Sequence, residues 1–369
     1  MNSKTFRMLA LIFALASALA ILTSCAAEMP TNEVSKLINE LGRDQVIVSF
    51  PGLGIQPTVI NRVAFSFPLG GGHITVYWSG LIVGLGIALC FAYAALRAKY
   101  TEKIKSNDLF DVAIFVIIAA VLGARLYYVL TSLGKYGDFW SVFNIWDGGM
   151  AIFGALIGGA LAIFFFCRKK KIDPLKMLDL AAPAAMLAQI VGRWGDFINA
   201  GSYGYEIGKN DPFYFIRMGI YPHSEESISA QTARLSYVHP TFLYEVVWNL
   251  IGFVIINLVY RKKKFDGQIF YLYMAWYGLG RMFIELLRTD SLYIGTLRIS
   301  ALVGALCCVA GFGFLALGLD KAKKIKLARQ KYEKVYTNFR TGNPLTGKYE
   351  QEEETEINAE SEKKENEDN

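Results

Sequence analysis

The chain has 369 residues, of which 53% are apolar and 19% are charged, and its mean hydropathy is +0.32. Water-soluble proteins are about a quarter charged, so this composition excludes an ordinary soluble enzyme. The formal net charge of +6 does not indicate nucleic-acid binding, because the lysines and arginines border apolar runs. The composition predicts an all-α membrane protein.

The N-terminal segment, residues 1–25, begins with Lys4 and Arg7, continues as an apolar stretch and ends in Leu22-Thr23-Ser24-Cys25. This layout is typical of a secretory signal, and its last four residues also resemble a bacterial lipobox, whose cysteine thiol receives a lipid. An uncleaved helix is the alternative. Residues 26–74 are mixed and polar, which predicts an extracytoplasmic lead-in.

Seven apolar segments of roughly 20 residues follow, enough to cross about 30 Å of hydrocarbon as helices. They predict a seven-helix bundle over residues 75–319, interrupted by an extracytoplasmic loop at 201–240. The segments are Thr75–Leu96, Phe110–Thr131, Gly149–Cys167, Met177–Asn199, Thr241–Tyr260, Ile269–Leu287 and Ile299–Leu319.

Clusters of lysine and arginine follow the first, third, fifth and seventh segments, whereas most of the other loops carry little charge. The positive-inside rule therefore places the start of the bundle outside and the C-terminus in the cytoplasm. Residues 320–369, basic and then rich in glutamate, are predicted to form a disordered, charged cytoplasmic tail.

Neither the cysteines nor the histidines suggest a metal site. Cys90, Cys167, Cys307 and Cys308 fall within or at the ends of apolar segments without paired spacing, which is typical of small buried hydrophobic residues. The three histidines lack metal-binding spacing.

A few charged residues lie within the apolar segments or at their edges. Inserting a charged side chain at the bilayer centre costs about 2.5–3.5 kcal/mol of free energy, so such a residue needs a partner or a function. Arg281 and Glu285 are four residues apart and share a helix face, so a purely structural ion pair is one interpretation. Arginines on three segments outnumber the nearby acids, which suggests a common anion. Arginine suits phosphate through bidentate hydrogen bonds, so the pattern predicts a phospholipid-phosphate site. The full set is Arg125, Arg193, Asp196, Glu245, Arg281, Glu285 and Arg288.

Short sequence motifs give more specific information about the family than the charged residues do. Gly192–Asn199 (GRWGDFIN), His239–Glu245 (HPTFLYE) and Gly280–Glu285 (GRMFIE) with Arg288-Thr289-Asp290-Ser291 resemble signatures of the prolipoprotein diacylglyceryl transferase family. Gly123-Ala124-Arg125 and Trp146-Asp147-Gly148-Gly149 match weaker family strings. The resemblance runs from about Val46 to Gly318, in the family's order.

The resemblance implies a reaction at the outer face of the bacterial plasma membrane. The diacylglyceryl group of phosphatidylglycerol is transferred to the lipobox cysteine thiol of a prolipoprotein signal peptide, and glycerol phosphate leaves. The implied partners are therefore this membrane lipid and the prolipoprotein, with no nucleic acid, metal or cofactor.

By the same resemblance, Arg193 holds the phosphate, and Arg281, steered by Glu285, stabilises the leaving group. Asn199 and Gly204 shape the loop over the headgroup, and His239 and Tyr244 lie at the outer mouth. Glu245 orients these groups, and Arg125 and Arg288 contribute to substrate binding. Asp196, Glu206 or water receives the thiol proton. His239 is equally interpretable as a loop residue before a helix start, and Tyr244 as an interfacial anchor.

The chain departs from the family pattern at Phe153, Asp196, Gly201 and Ser79, where the resemblance leads us to expect a His or Tyr, an Asn, a Glu and a Tyr, respectively. These departures leave open an alternative, in which the protein is a degenerate homologue that binds anionic lipid or prolipoprotein without turnover. Seven segments with buried charges would also suit a small-solute transporter, although no internal repeat is apparent.

Overall fold

The computed structural model describes residues 31–42, 44–69, 72–102, 104–132, 142, 148–221, 235–289, 293–294 and 297–340. The predicted signal segment and Trp146, Asp147, Asp290 and Ser291 lie outside these residues. The described residues up to Leu315 belong to one compact unit, and a second unit begins at Ala316.

Each of the seven predicted segments overlaps a long helix, and a short helix precedes them. Six of the described helices, α2 to α6 and α8, are long and apolar enough to cross a membrane. Their large side chains are widely exposed, with Leu122 at 65% and Leu258 at 67%, as expected for faces in contact with hydrocarbon. The chain is thus a mainly helical, multi-pass membrane protein. The helices are α1 (Thr31–Asn39), α2 (Trp78–Arg97), α3 (Ser106–Thr131), α4 (Ile152–Lys170), α5 (Pro174–Ile198), α6 (Thr241–Tyr260), α7 (Gln268–Ile284) and α8 (Ile299–Arg340).

Helix α7 is the shortest of the seven, with 17 residues, and it continues as a 3₁₀ turn over Glu285–Leu287. At 1.5 Å per residue its α-helical part is about 26 Å long, slightly less than the hydrocarbon thickness. The predicted segment Ile269–Leu287 therefore corresponds to an α-helix with a tighter last turn, and this turn lies at the charged end that contains Glu285.

The prediction of an all-α protein is wrong outside the helices, where short strands among the described residues form three antiparallel sheets. Strands of the lead-in pair with strands of the long loop, for example Val48 with Ile220, in the order β2-β1-β5-β6. Short, locally ambiguous apolar runs become strands here because a partner distant in sequence completes the sheet. The strands are β1 (Gln45–Phe50), β2 (Ile55–Asn61), β3 (Val63–Leu69), β4 (Gly72–Tyr77), β5 (Met218–Tyr221), β6 (Ser236–Val238), β7 (Tyr293–Ile294) and β8 (Leu297–Arg298).

The predicted disordered tail also needs correction, since α8 extends to Arg340. Its last part is rich in good helix formers and contains two pairs spaced four residues apart, Lys324–Asp320 at 3.0 Å and Arg329–Glu333 at 3.2 Å. These local interactions favour a helix over residues 320–340. Residues 341–369 lie outside the described part of the chain.

Two contacts at opposite ends of the bundle hold the helices that carry the charged residues. At one end the buried carboxylate of Asp179 on α5 accepts hydrogen bonds from the backbone N–H groups of Gly267, Ile269 and Phe270, which satisfies the first turn of α7. At the other end, Phe242 of α6 packs on Phe197 of α5 with 5.1 Å between ring centroids, beneath the four-stranded sheet. The ends of α5 and α6 are therefore packed together under this sheet.

Candidate active site

The carboxylate of Glu245, one turn into α6, is the shared partner of three arginines. Its Oε2 lies 2.6 Å from Nη2 of Arg193 on α5, and its Oε1 lies 3.1 Å from Nη1 of Arg281 on α7. The same Oε1 lies 3.0 Å from Nη1 of Arg288, which follows the 3₁₀ turn. Three guanidinium groups from three elements thus converge on one buried carboxylate.

Two further carboxylates complete the charge balance. Arg193 also pairs with Asp196, Nη1 to Oδ2 at 2.7 Å, and Arg281 also pairs with Glu285, Nη2 to Oε2 at 3.0 Å. The expectation that the arginines outnumber their acids is therefore wrong for this set. Asp196 and Glu285 lie three and four residues beyond their arginines, on the same helix faces, and Glu245 comes from a third element. We refer to these three arginines and three carboxylates as the Glu245 cluster.

Arg193 and Arg281 keep access to a further anion. Their side chains are 22% and 17% exposed, respectively, and each uses one nitrogen for each of its two ion pairs. A guanidinium has five N–H donors, so donors remain on both residues beyond those pairs. A phosphate that binds here would add to the ion pairs or replace a carboxylate contact.

The loop after α5 covers the cluster in a constrained conformation. Ala200 and Ser202 have left-handed φ values of 47° and 52°, which are uncommon for residues with a side chain. Ser202 accepts a hydrogen bond at Oγ from Arg288 Nη2 at 3.1 Å, and its carbonyl accepts one from the hydroxyl of Thr241. Backbone strain of this kind persists only where surrounding contacts impose it, and it concentrates at functional sites.

Gly204 lies where the loop passes between two other parts of the site. Its N–H donates to the carbonyl of His239 at 2.8 Å, and it forms a β-bridge with Arg288. A Cβ atom at this position would lie 2.6 Å from the carbonyl oxygen of Leu287 and 2.8 Å from Cβ of His239, so any side chain would force the loop away. The predicted role of Gly204 in shaping this loop is consistent with that geometry.

His239 is buried at the head of α6 and contacts two polar side chains. Its Nδ1 lies 3.1 Å from the hydroxyl of Tyr244, and its Nε2 lies 3.5 Å from Oδ2 of Asp211. Burial lowers the pKa of His239 below its ordinary value, and the negative charge of Asp211 opposes this shift only in part. The imidazole is therefore neutral near pH 7, with its N–H at Nε2 toward Asp211 and its unprotonated Nδ1 toward the hydroxyl of Tyr244.

Several residues predicted to contribute to the site are not members of the Glu245 cluster. Arg125 donates to the backbone carbonyls of Val142, Gly148 and Gly149 at 2.8–3.0 Å, so these hydrogen bonds hold the loop before α4. Asn199 ends α5 with its side chain exposed. Glu206 is exposed in a β-bridge with Val238 and forms no ion pair with the described arginines.

Three of the residues that depart from the family pattern make ordinary packing or backbone contacts. The ring of Phe153 packs on Tyr127 with 6.5 Å between centroids, and the backbone of Ser79 lies against Gly195. Gly201 donates its N–H to the carbonyl of Asp196 at 2.9 Å.

Sequence reasoning missed Ser202, Asp211 and Arg298. Arg298 donates to the carbonyl of Glu285 and, at 2.8 Å, to the hydroxyl of Tyr205, so it links β8 to the 3₁₀ turn and to the loop. Ser202 and Asp211 lie in a polar loop without a distinctive motif. Arg298, directly before the last apolar segment, had a detectable signal as a charge at a membrane boundary.

Comparison with known proteins agrees with this arrangement. The sequence model of the family described as "Prolipoprotein diacylglyceryl transferase" matches residues 63–317. The chain is 38% identical over 261 residues to a phosphatidylglycerol–prolipoprotein diacylglyceryl transferase of Streptococcus equi subsp. zooepidemicus, covering 70% of this chain and 95% of that protein. It is 39% identical over 251 residues to the protein of the same name from Streptococcus sanguinis, covering 66% and 92%. A third relative of that name, from Streptococcus pyogenes, is 39% identical over 261 residues, covering 70% and 95%.

The matched residues include the helices that carry Arg193, Glu245 and Arg281, and the match extends over nearly the full length of these relatives. On this evidence the chain belongs to the prolipoprotein diacylglyceryl transferase family.

Proposed function

We propose that this protein transfers the diacylglyceryl group of phosphatidylglycerol to the lipobox cysteine thiol of prolipoproteins and releases glycerol phosphate. The observation that carries the proposal is the convergence of three guanidinium groups on Glu245 at the end of a membrane bundle. Family membership and the names of the streptococcal relatives give the reaction class.

The charge flow of the reaction explains why arginines suit the site. The cysteine sulfur attacks the glyceryl carbon that carries the phosphate, and a C–S bond forms. The bond between this carbon and the phosphate oxygen breaks, and its electron pair stays on the oxygen. The phosphodiester, with one negative charge, thereby becomes a phosphomonoester with two. Fixed donors around this phosphate stabilise the transition state more than the ground state, which lowers the barrier.

In this mechanism Arg193 and Arg281 bind the phosphate, since their side chains are accessible and their ion pairs leave donors available. Glu245 and Glu285 hold the two guanidinium planes in place before the lipid arrives. Because the guanidinium groups are oriented in advance, little binding energy is lost in ordering them.

The thiol must also lose a proton before it attacks. His239, which burial keeps neutral, receives a proton at Nδ1 from the hydroxyl of Tyr244, which takes up the thiol proton in exchange, and the carboxylate of Asp211 orients the ring at Nε2. Asp196 and Glu206 are less suitable acceptors. Asp196 is paired with Arg193, and Glu206 is exposed apart from the cluster.

For the membrane arrangement, we propose seven spans in the bacterial plasma membrane, with the start of α2 and the Glu245 cluster outside and the C-terminus in the cytoplasm. The alternation of basic clusters along the sequence supports this orientation. Labelling of single cysteines introduced at Lys209 and Lys321 with a membrane-impermeant reagent tests it. Intact cells should label the first position and not the second.

The reaction itself is tested with purified protein, phosphatidylglycerol in detergent micelles and a peptide that contains a lipobox cysteine. Mass spectrometry should detect a peptide with a thioether-linked diacylglyceryl group, and a Cys→Ser peptide is the control. Lipid binding without this product would reject the transferase and favour the non-catalytic lipid-binding alternative that the departures at Phe153 and Gly201 leave open.

A further inference from the structure

A small open pocket lies between α6 and α7, directly beside the Glu245 cluster. Glu245 and Asn249 of α6 line it on one side, and Tyr277 and Arg281 of α7 line it on the other. Residues four apart on a helix share a face and differ by about 6 Å along the axis. Asn249 and Tyr277 therefore lie one helical turn further into the apolar part of the bundle than Glu245 and Arg281.

The polar groups of this deeper layer lack partners. Asn249 is only 4% exposed, and its amide forms no hydrogen bond with another described residue. The amide is not among the fully enclosed side-chain atoms that lack a partner, so it borders the open pocket. The hydroxyl of Tyr277 likewise has no partner among the described residues, and its ring stacks on Tyr273. Polar groups of buried residues are almost always hydrogen-bonded in folded proteins, so an amide of a buried residue that borders an open pocket without a protein partner points to a ligand there.

Two residues of the same types show that partners are available elsewhere in these helices. Asn257, two turns further along α6, accepts from the hydroxyl of Tyr93 at 2.6 Å and donates to the carbonyl of Phe253 at 2.7 Å. Tyr273, one turn before Tyr277, accepts a hydrogen bond from Gln189 at 2.9 Å. The missing partners of Asn249 and Tyr277 are thus a local property of the pocket.

The walls of the pocket are held together by two tryptophans. Trp248 and Trp276 stack with 4.4 Å between ring centroids, and each indole N–H donates to the other residue's backbone carbonyl at 3.0 Å. The indole of Trp248 lies so close to Gly280 that a Cβ there would be 2.2 Å from Nε1. These contacts fix the spacing of α6 and α7, so the pocket exists before a ligand enters.

The pocket suits one part of the donor lipid. If the arginines hold the phosphate, the next polar atoms toward the acyl chains are the ester carbonyls of the diacylglycerol, which only accept hydrogen bonds. The amide of Asn249 offers two N–H donors and the phenol of Tyr277 one O–H donor. We propose that Asn249 and Tyr277 form a subsite that binds the ester carbonyls of the donor lipid, one helical turn below the arginines. This inference rests on the proposed function, which supplies the lipid.

An ether analogue of the donor lipid tests the subsite separately from the transfer reaction. Dialkyl phosphatidylglycerol of matched chain length lacks the ester carbonyls but retains the phosphodiester bond that reacts. For the wild-type protein, kcat/KM with the dialkyl lipid should be about tenfold lower than with the diacyl lipid, the loss expected for one or two hydrogen bonds. In Asn249→Leu and Tyr277→Phe, kcat/KM with the diacyl lipid should fall several-fold. With the dialkyl lipid it should stay near the wild-type value for that lipid, so the ratio of the two kcat/KM values approaches one.

Tyr273→Phe is the matched control, because it removes the same kind of hydroxyl from the same helix but leaves the pocket lining intact. It should retain the wild-type preference for the diacyl lipid. The subsite is overturned if the wild-type protein accepts both lipids equally. It is also overturned if the pocket variants lose activity with both lipids in the same proportion, which is the result of a purely structural role.

A binding measurement keeps this test independent of turnover. Displacement of radiolabelled diacyl phosphatidylglycerol from the purified full chain by either lipid should give the same preference, and the same loss of preference in the two variants. Preferential binding without a thioether product would retain the subsite and reject the transfer reaction. Thioether formation without any preference in rate or binding would retain the reaction and reject the subsite.

Discussion

Glu245 of α6 and Arg193 of α5 form an ion pair of 2.6 Å that joins two helices at the end where the lead-in and the long loop form a sheet. Through the same carboxylate, α7 and the turn after it are joined to this pair. One acidic side chain thus holds three arginines together, where their mutual repulsion would otherwise separate them.

Neutralising this carboxylate should weaken both the fold and the site. In Glu245→Gln the three arginines lose their shared counter-ion, and removing one partner of a buried ion pair costs about 3–5 kcal/mol. We expect a lower melting temperature in detergent, and a larger stabilisation by phosphatidylglycerol than the wild-type protein shows, because the lipid phosphate replaces the lost charge. Glu206→Gln, at an exposed position, is the control. An unchanged melting temperature would contradict the central role of Glu245.

Arginine geometry, beyond positive charge, should be required at two positions. In Arg193→Lys and Arg281→Lys the charge remains, but one ammonium group cannot span two carboxylates and a phosphate as a guanidinium does. We expect kcat/KM to fall by about 10²–10³-fold, as for removal of a preorganised donor. Arg168→Lys, exposed near the end of α4, should keep its activity. Activity near the wild-type value in both cluster variants would contradict their proposed role in phosphate binding.

Arg125 should behave differently from the arginines of the cluster. Its guanidinium holds the loop before α4 through partly exposed backbone carbonyls, so Arg125→Ala removes these hydrogen bonds at a cost of about 0.5–1.5 kcal/mol each. We expect a lower melting temperature and an unchanged KM for phosphatidylglycerol at temperatures where the variant is folded. A KM raised about tenfold would instead restore the substrate-binding role that the sequence suggests.

The buried imidazole of His239 should make stability depend on pH. Its pKa in the folded protein lies below the value of the unfolded chain, about 6.5, so the unfolded chain binds the proton first as the pH falls. The neutral histidine therefore favours folding above about pH 6.5, and this advantage is lost progressively as the pH decreases toward the folded-state pKa. Melting temperatures of wild type and His239→Gln, compared at about pH 7.5 and 5.5, should show a larger decrease for the wild type. Equal decreases would place the pH dependence elsewhere.

Much of the fold could be predicted because membrane helices carry a local signal. Each apolar segment was recognisable by its length alone, and all seven assigned segments begin within four residues of a helix start. The strands were not recognisable, because β1 pairs with β5 about 170 residues away and the run Val46–Val48 has no periodicity of its own. Its strand character depends on that distant partner.

The candidate site was predictable in kind but not in arrangement. Arg193, Glu245, Arg281, Glu285 and Arg288 were identified as charged residues in or beside apolar segments, and the structure brings all five together. Arg125 fulfilled the same criterion and lies elsewhere. Asn249 was overlooked because an uncharged amide in an apolar segment costs less than a charge and is less conspicuous.

Composition and segment length by themselves determined that this chain builds a multi-pass helical membrane protein, because hydrocarbon accepts only backbone that is hydrogen-bonded within each segment. The motif strings likewise determined the family. Only the tertiary structure decided that Glu245 is the common partner of three arginines and that Asn249 and Tyr277 face one pocket. Such pairings depend on the rotation and axial position of each helix, which result from packing contacts along its whole length, such as the stacked pair Trp248 and Trp276.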